Sequence, residues 1–478
     1  MTTAMSFADV MRVTGARAVS GPRDASPALT GVSTDTRSLR AGELYLALSG
    51  PAFDGNAFAR TAADAGAGAL LLRDDPALDL SGLPKGLPVA TCRDPLRALA
   101  DVAGWHRRRL ALPVVAITGS VGKTSTKNIL LELLRDVRVA VGSPASFNNE
   151  VGVPLTLLLA DERTDVLIAE IGTNAPGEIA ALCRIAQPSA GIVTEVGASH
   201  LLGLHNIEGV AVEKSALPAC LPSNGFCVLN ADNPLTAKMA QVTAARPITF
   251  SVRDDADPHI DFRASSITFD ASGTRFTLKG ARVPEPLSIH VPLLGEPAVK
   301  NVLAALAACD GLGVDLELVY PALARLVPAP RRMQPVQVGG LTLLDDSYNA
   351  NPDSVRAGLG VLRGLRAHAR RVMVLGEMLE LGPDAGILHH RVGREAADAN
   401  VDLLVLVGDL TRATAAGALE AGLGMGRLVH FDTVEDAITV LPGMLRDGDA
   451  VWIKGSRGSR LDRLVDHLAP TSTTHGTR

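Results

Sequence analysis

The sequence predicts an α/β protein of three domains, on three observations. Short apolar runs alternate with helical patterns along nearly the whole chain, as they do where strands and helices pack in layers. The length of 478 residues suits about three domains at roughly 100–200 residues each. A proline-rich segment, LVPAPRRMQP (326–335), interrupts the rhythm, which then restarts.

The first predicted domain, 1–92, is small and α/β. It has strand-like runs at Leu44–Leu48 and Ala69–Leu72 around an alanine-rich helix. The second, 93–332, opens with a helix over 94–111. PVVAITGS (113–120) then reads as a buried strand ending in a glycine turn, and TSTKNILLELLRD (124–136) as an amphipathic helix. Further strands are expected in VLIAEI (166–171), AGIVTEV (190–196) and GFCVLNAD (225–232). Between 258 and 294 the pattern approaches strict alternation, which predicts a small antiparallel addition to a parallel sheet. A helix follows over 299–312. The third domain, 333–478, carries VMVLGEM (372–378), DLLVLVGD (402–409), LVHFD (428–432) and DAVWIKGS (449–456) with helices between, a Rossmann-like, doubly wound arrangement. The tail TSTTHGTR (471–478) reads as disordered.

Composition narrows the function. A formal net charge of −5 with 20% charged residues offers no basic footprint for nucleic acid. Arg107, Arg108 and Arg109 read as a solvated helix end. No run of 18 apolar residues predicts a membrane span, and the N-terminus does not read as a signal peptide. The five cysteines are scattered and never form CxxC, which fits reduced thiols in a cytoplasmic protein. No interface stripe stands out, so a monomer is expected.

The strongest chemical signal is TGSVGKTS (118–125), with a strand leading in and a helix leading out. Gly119 and Gly122 let the backbone approach phosphates, and the loop with Ser120 presents N–H groups at a helix N-terminus. Lys123 can reach β/γ-phosphates, Thr124 offers a hydroxyl to Mg²⁺, and Ser125 lies at the same end. Position 117 is isoleucine, so the loop is the shorter GxxGKT form. Glu170 ends a buried strand on the same predicted sheet edge, where a carboxylate can hold a hard cation. Glu178 reads as a helix-start charge. His200 and Lys214, on spacing alone, read as ordinary structural or solvated residues. Asn148 and Asn149 form an amide pair that suits either substrate or a turn. In the third domain LLDDSYNANPDSV (343–355) ends a strand with Asp345 and Asp346, followed by Tyr348, Asn349 and Asn351. WIKGSRGSRLD (452–462) ends another with Lys454, Ser456 and Arg457, where a carboxylate could bind or charge could simply face water.

Together these motifs resemble the Mur ligases, the ATP-dependent amide-forming enzymes of peptidoglycan precursor synthesis. FNNEVGVP (147–154), EIGTNAPGEI (170–179), DDSYNANPDS (345–354), GEMLELG (376–382) and KGSR (454–457) most resemble the branch that adds D-alanyl-D-alanine to a UDP-N-acetylmuramoyl-tripeptide. The resemblance runs from about 30 to 468. It implies that the first domain binds the UDP end through Ser33, Thr36 and Arg37, beside FDGNAF (53–58), where the family often has histidine at the place of Asn56. It implies ATP and Mg²⁺ on the central domain, with Lys123 and Thr124 as read above and Glu170 and His200 as metal ligands. It implies a carbamylated Lys214 as a second metal's ligand, and Asn301 near the base. It implies Arg332 and Asp346 on ribose or phosphate, Tyr348, Asn349 and Asn351 near nucleotide and dipeptide, and Lys454 and Arg457 near the dipeptide carboxylate. Lys123, Lys214 and Asn349 are the expected catalytic residues.

The sequence departs from the family at Pro297 and Ala298, Ala216, Leu202 and Arg331. Two alternatives stay open at this point: a neighbouring Mur-type or folylpolyglutamate-type amino-acid ligase, and a non-catalytic nucleotide-binding paralogue.

Overall fold

The computed structural model describes residues 5–21, 27–365 and 368–470; the tail 471–478 lies outside them. Three main sheets of five, nine and six strands follow one another along the chain. The five-stranded sheet runs Arg17–Ser20, Val89–Cys92, Ala69–Arg73, Leu44–Leu46, Val32–Ser33 in spatial order, parallel except for its first pair.

The central sheet holds β1 (Val114–Thr118), which leads into α1 (Lys123–Leu134). β1 lies between β2 (Val166–Glu170) and β3 (Ala190–Val193), parallel to both. All three strands are buried along their whole length, as expected of a parallel sheet covered on both faces. In this register Ile117 sits opposite Glu170 and Thr118 opposite Val193, so three carboxyl ends share one edge. Beyond β3 come Phe226–Asn230 and Arg246–Ser251, still parallel. The alternating segment then forms Phe262–Asp270, Gly273–Lys279 and Leu287–Val291, antiparallel to one another, as its period of two predicts.

Two helices pack on this sheet from later in the chain: α2 (Ile207–Ala219) and α3 (Gly295–Gly311). The sequence placed the start of α3 at 299. It starts four residues earlier, taking Pro297 and Ala298 into its first turn. There the missing proline N–H costs nothing, because the first N–H groups of a helix have no intrahelical acceptor.

The helix Pro95–Arg109, capped by Asp94, is embedded rather than a loose connector. Its Ala98, Leu99 and Val102 share a cluster with Val10, Leu44 and Leu46 of the first domain, and Val151 and Leu155 of the central domain pack against it. The arginines at its end are also not simply solvated. Arg107 donates to the carbonyls of Ala186 and Gln187, closing the helix Glu178–Ala186. Arg109 lies over the Trp105 ring at 4.6 Å.

The third domain contains β4 (Leu341–Asp346), α4 (Pro352–Gly364) and β5 (Asp449–Lys454), with β4 and β5 paired in parallel. Asn351 caps α4: its side chain accepts from Ser354 N while Asn351 N bonds the Ser354 hydroxyl. One apolar cluster runs without a break from Leu201, Leu204 and Leu294 of the central domain to Leu344, Val355 and Trp452 of the third. The third domain therefore lies closed on the central one. Among the described residues no helix is long and apolar enough to cross a membrane.

The fit of α4 on β5 depends on one missing methyl group. A Cβ on Gly358 would lie 2.0 Å from Cζ2 of Trp452, which is fully buried. Gly358→Ala should cost about 1–3 kcal/mol by overpacking. A urea titration followed by Trp452 emission, with Trp105 replaced, checks it; an unchanged midpoint would refute the fit.

Candidate active site

The loop between β1 and α1 bends through Gly119 (φ +153°) and Gly122 (φ +85°), backbone conformations that side chains rarely adopt. A Cβ on Gly119 would also lie 1.9 Å from Thr194 Oγ1. The loop is pinned from beneath. Ser120 N donates to the Glu195 carbonyl at 2.8 Å, and the Ser120 hydroxyl donates to the Gly197 carbonyl at 3.0 Å. The Ser199 hydroxyl reaches Ser120 Oγ at 2.8 Å. The N-terminus of α1 opens over this loop with no side-chain cap at Gly122, so its first N–H groups are left for an anion. Lys123 folds back onto the loop, with Nζ 2.6 Å from the Gly119 carbonyl. Burial pulls its pKa down, Glu170 opposes that, and the Arg332 guanidinium adds to it.

At the edge shared by β1 and β2 the Thr124 hydroxyl donates to Glu170 Oε2 at 2.8 Å, and Asn148 Nδ2 donates to Glu170 Oε1 at 3.1 Å. Glu170 is buried. Arg332, at the junction of the central and third domains, crosses to this point. Its Nη2 lies 3.0 Å from both Thr124 Oγ1 and Ser146 Oγ, and its guanidinium stacks on Tyr348 at 3.9 Å. Asn149 instead turns the chain into the helix Gly152–Leu157, accepting from Gly152 N at 2.9 Å. Asn301 lies on the far side of the loop, its Oδ1 bonded by the Thr126 hydroxyl. Ser125 is partly buried on α1.

His200 adopts φ +55°, and its Nδ1 lies 2.8 Å from Glu380 Oε2 of the third domain. That hydrogen bond holds the Glu380 carboxyl below the usual carboxylate range. An ionised carboxylate only accepts, so the ring donates from Nδ1. Lys214, on α2, is 1% exposed. Burial lowers its pKa well below that of an ordinary lysine, and Lys123 lowers it further. Its neighbour Glu213 accepts from Gly177 N and Ile179 N, tying α2 to the start of the helix Glu178–Ala186. Glu178 takes Asn174 N and Ala175 N at that same helix start.

In the third domain Lys454 Nζ lies 2.7 Å from Asp346 Oδ2 and 3.0 Å from the Asn349 carbonyl. Asp346 also accepts from Met333 N and Trp452 Nε1. These bonds join Arg332's end of the chain to β4 and β5. The Asn349 side chain accepts from Ala350 N, and Asn351 is spent on capping α4. Arg457 is exposed beyond β5.

The first domain keeps its candidates apart from this centre. Ser33 Oγ donates to the Asp35 carbonyl, and Arg37 pairs with Asp35 and points into solvent. Thr36 lies partly buried between them. Asn56 clamps Arg73, accepting from its N–H and donating to its carbonyl at 2.9 Å each.

Sequence reasoning missed Ser146, Glu213, Glu380 and Lys127. The Lys127 amine is buried and donates to the carbonyls of Ser143 and Ala145, fixing the loop that presents Ser146 and Asn148. A lysine inside an amphipathic helix gives no sign of this. Ser146 and Glu213 adjoin residues that were singled out, but only the fold shows their bonds.

The chain matches the Mur ligase middle domain over residues 117–309 and the Mur ligase glutamate ligase domain over 331–457. It is 37% identical to the UDP-N-acetylmuramoyl-tripeptide–D-alanyl-D-alanine ligase of Mycobacterium tuberculosis, covering 98% of both chains. It is 34% identical to the Escherichia coli enzyme of that name, covering 93% of this chain and 95% of that one. Its structure superposes on MurF from Acinetobacter baumannii with a TM-score of 0.85 at 26% identity, over 97% and 99% of the two chains. The chain belongs to the Mur ligase family.

Proposed function

We propose that this protein joins D-alanyl-D-alanine to a UDP-N-acetylmuramoyl-tripeptide, with ATP cleaved to ADP and phosphate, in peptidoglycan precursor synthesis. Full-length similarity to ligases of that name supports the substrates. The observation that carries the chemistry is the Thr124 hydroxyl, which donates to Glu170 and meets Arg332, so that the phosphate loop, a carboxylate and the junction with the third domain come to one point.

A carboxylate does not react with an amine in neutral water, because oxide is a poor leaving group. Attack of the tripeptide carboxylate on the γ-phosphorus of ATP makes an acyl phosphate and releases ADP. The dipeptide amine then attacks the acyl carbon, and phosphate leaves with the C–O electron pair. Lys123 and the N–H groups of the loop at Gly119–Gly122 face the transferring phosphoryl group and stabilise its charge. Arg332 has to exchange its bonds to Thr124 and Ser146 for phosphate or ribose as nucleotide enters. Asp346 holds the adjoining backbone through Met333 N.

The residues present fit a hard divalent cation. Thr124 and Glu170 offer oxygen, and the Lys214 amine makes no hydrogen bond or ion pair among the described residues. Those residues contain no group of three His, Cys, Asp or Glu that could hold a metal alone, as suits Mg²⁺, which is usually shared with phosphate and water. Magnesium held by Thr124, Glu170 and His200, with a second ion on a Lys214 carbamate, would neutralise charge on the phosphates. Lys214 suits that modification, since only a neutral amine takes up CO₂ and burial shifts this one toward the neutral form.

We assign the UDP end to residues 1–92 with Ser33, Thr36 and Arg37, ATP to 93–332, and the dipeptide to 333–478. There Tyr348, Asn349, Lys454 and Arg457 line the approach, and Asn351 acts through α4. Holding three substrates in line accounts for much of the rate, which explains why the domains must close.

Incubation with ATP, UDP-N-acetylmuramoyl-tripeptide and D-alanyl-D-alanine should yield the pentapeptide product by mass spectrometry, with ADP and phosphate in equal amounts. Release of AMP and pyrophosphate would rule out the acyl phosphate. Lys123→Ala should lower kcat by on the order of 10²–10³. Lys214→Ala should lose activity and recover part of it with formate or acetate. Wild-type protein in ¹³C-bicarbonate should show a carbamate carbon resonance that Lys214→Ala lacks; full activity in that variant sinks the carbamate assignment.

A further inference from the structure

The motif GEMLELG (376–382) touches the central domain at one place, and the proposed reaction assigns it nothing. Glu380 (φ +64°) and His200 (φ +55°) are both non-glycine residues in the left-handed region, a strained backbone that persists only where the surroundings enforce it. Two bonds link Glu380 to the 200–202 segment across the domain boundary. His200 Nδ1 meets Glu380 Oε2 at 2.8 Å, and Leu202 N donates to the Glu380 carbonyl at 3.0 Å.

The segment behind Glu380 is tied into the third domain by hydrogen bonds. Buried His389 accepts from Met378 N through Nε2 at 3.0 Å, with its Nδ1 bonded to the Ala385 carbonyl. Leu379 N donates to Ser456 Oγ at 2.9 Å, and Ser456 N to the Glu377 carbonyl at 3.0 Å. Glu380 is thus held by two strand ends of the third domain while its side chain serves a residue of the central one.

We infer that Glu380 is a positioning residue that fixes the His200 ring for cation binding and, because it belongs to the third domain, makes cation affinity depend on domain closure. The inference rests on the reading of His200 as a metal ligand. A carboxylate on Nδ1–H sets the tautomer that leaves Nε2 free for a metal and raises its basicity. Opening the third domain removes that carboxylate. Linkage then requires the converse: a bound cation favours the closed arrangement to the same extent.

The test counts free Mn²⁺ by electron paramagnetic resonance during titration of the full chain saturated with ADP. Glu380→Ala should weaken Mn²⁺ binding by about 10–100-fold, Glu380→Gln less so, because an acceptor remains. Affinity for ADP without metal should not change. A parallel loss of metal-free ADP affinity would mark Glu380 as merely structural and overturn the inference. Unchanged Mn²⁺ affinity in Glu380→Ala, with a loss in His200→Ala, overturns it but spares the ligand reading. Unchanged affinity in both variants overturns both.

Discussion

A buried carboxylate at the end of a parallel strand sets the requirement that the rest of the site meets. Glu170 is 1% exposed, and an ionised carboxylate out of water is costly unless hydrogen bonds and positive charge compensate. Each compensating group comes from a different part of the chain. Thr124 comes from the first turn of α1, Asn148 from the 146–149 loop, and the positive potential from Lys123 and Arg332. One charge thereby draws the phosphate loop, the amide loop and the third domain to the carboxyl edge of β1 and β2. That edge is where open α/β sheets gather ligands.

Closure follows from the same economy of partners. Arg332 has two hydroxyls and an aromatic face to satisfy it only when the third domain sits against the central one. Asp353, in the first turn of α4, accepts from Ala198 N at 2.8 Å across that boundary. The apolar cluster continuing from Leu294 to Trp452 adds the undirected part of the attraction. The polar contacts choose the geometry, and water or substrate can compete for them. A closed arrangement held this way can open at modest cost.

Much of this was legible in the sequence because the signals were local. The strand–glycine–lysine–helix order around Gly119 names its own context, and the change of period near 258 gave the antiparallel strands. The start of α3 was not legible, because Pro297 reads as a breaker until its place in the first turn is known. The fate of Asn148 and Asn149 could not be read either. Adjacent amides diverge, one to Glu170 and one to a turn, and only the path of the backbone separates them. Arg107 looked solvated because the carbonyls it closes, those of Ala186 and Gln187, lie some 80 positions away. His200 looked ordinary because its partner, Glu380, is 180 residues distant. Pairings that cross domains leave no periodicity.

The two lysines show how one site can hold charges that repel. In the proposed reaction Lys123 stays cationic to serve a phosphoryl group, yet it sits near enough to Lys214 to lower the latter's pKa. Had Lys214 kept its proton, two ammonium groups would repel in a desolvated space, with Glu170 opposing the charge of one and Glu213 that of the other. Burial eases the conflict by shifting Lys214 toward its neutral form. In the proposed carbamate, CO₂ would turn that amine into an anion and reverse the sign of its interaction with Lys123. The same burial that disfavours the proton favours the nitrogen lone pair that CO₂ requires. The depressed pKa and the proposed carbamate would thus both follow from placing Lys214 on the inner face of α2, where Glu213 anchors the helix against its neighbour.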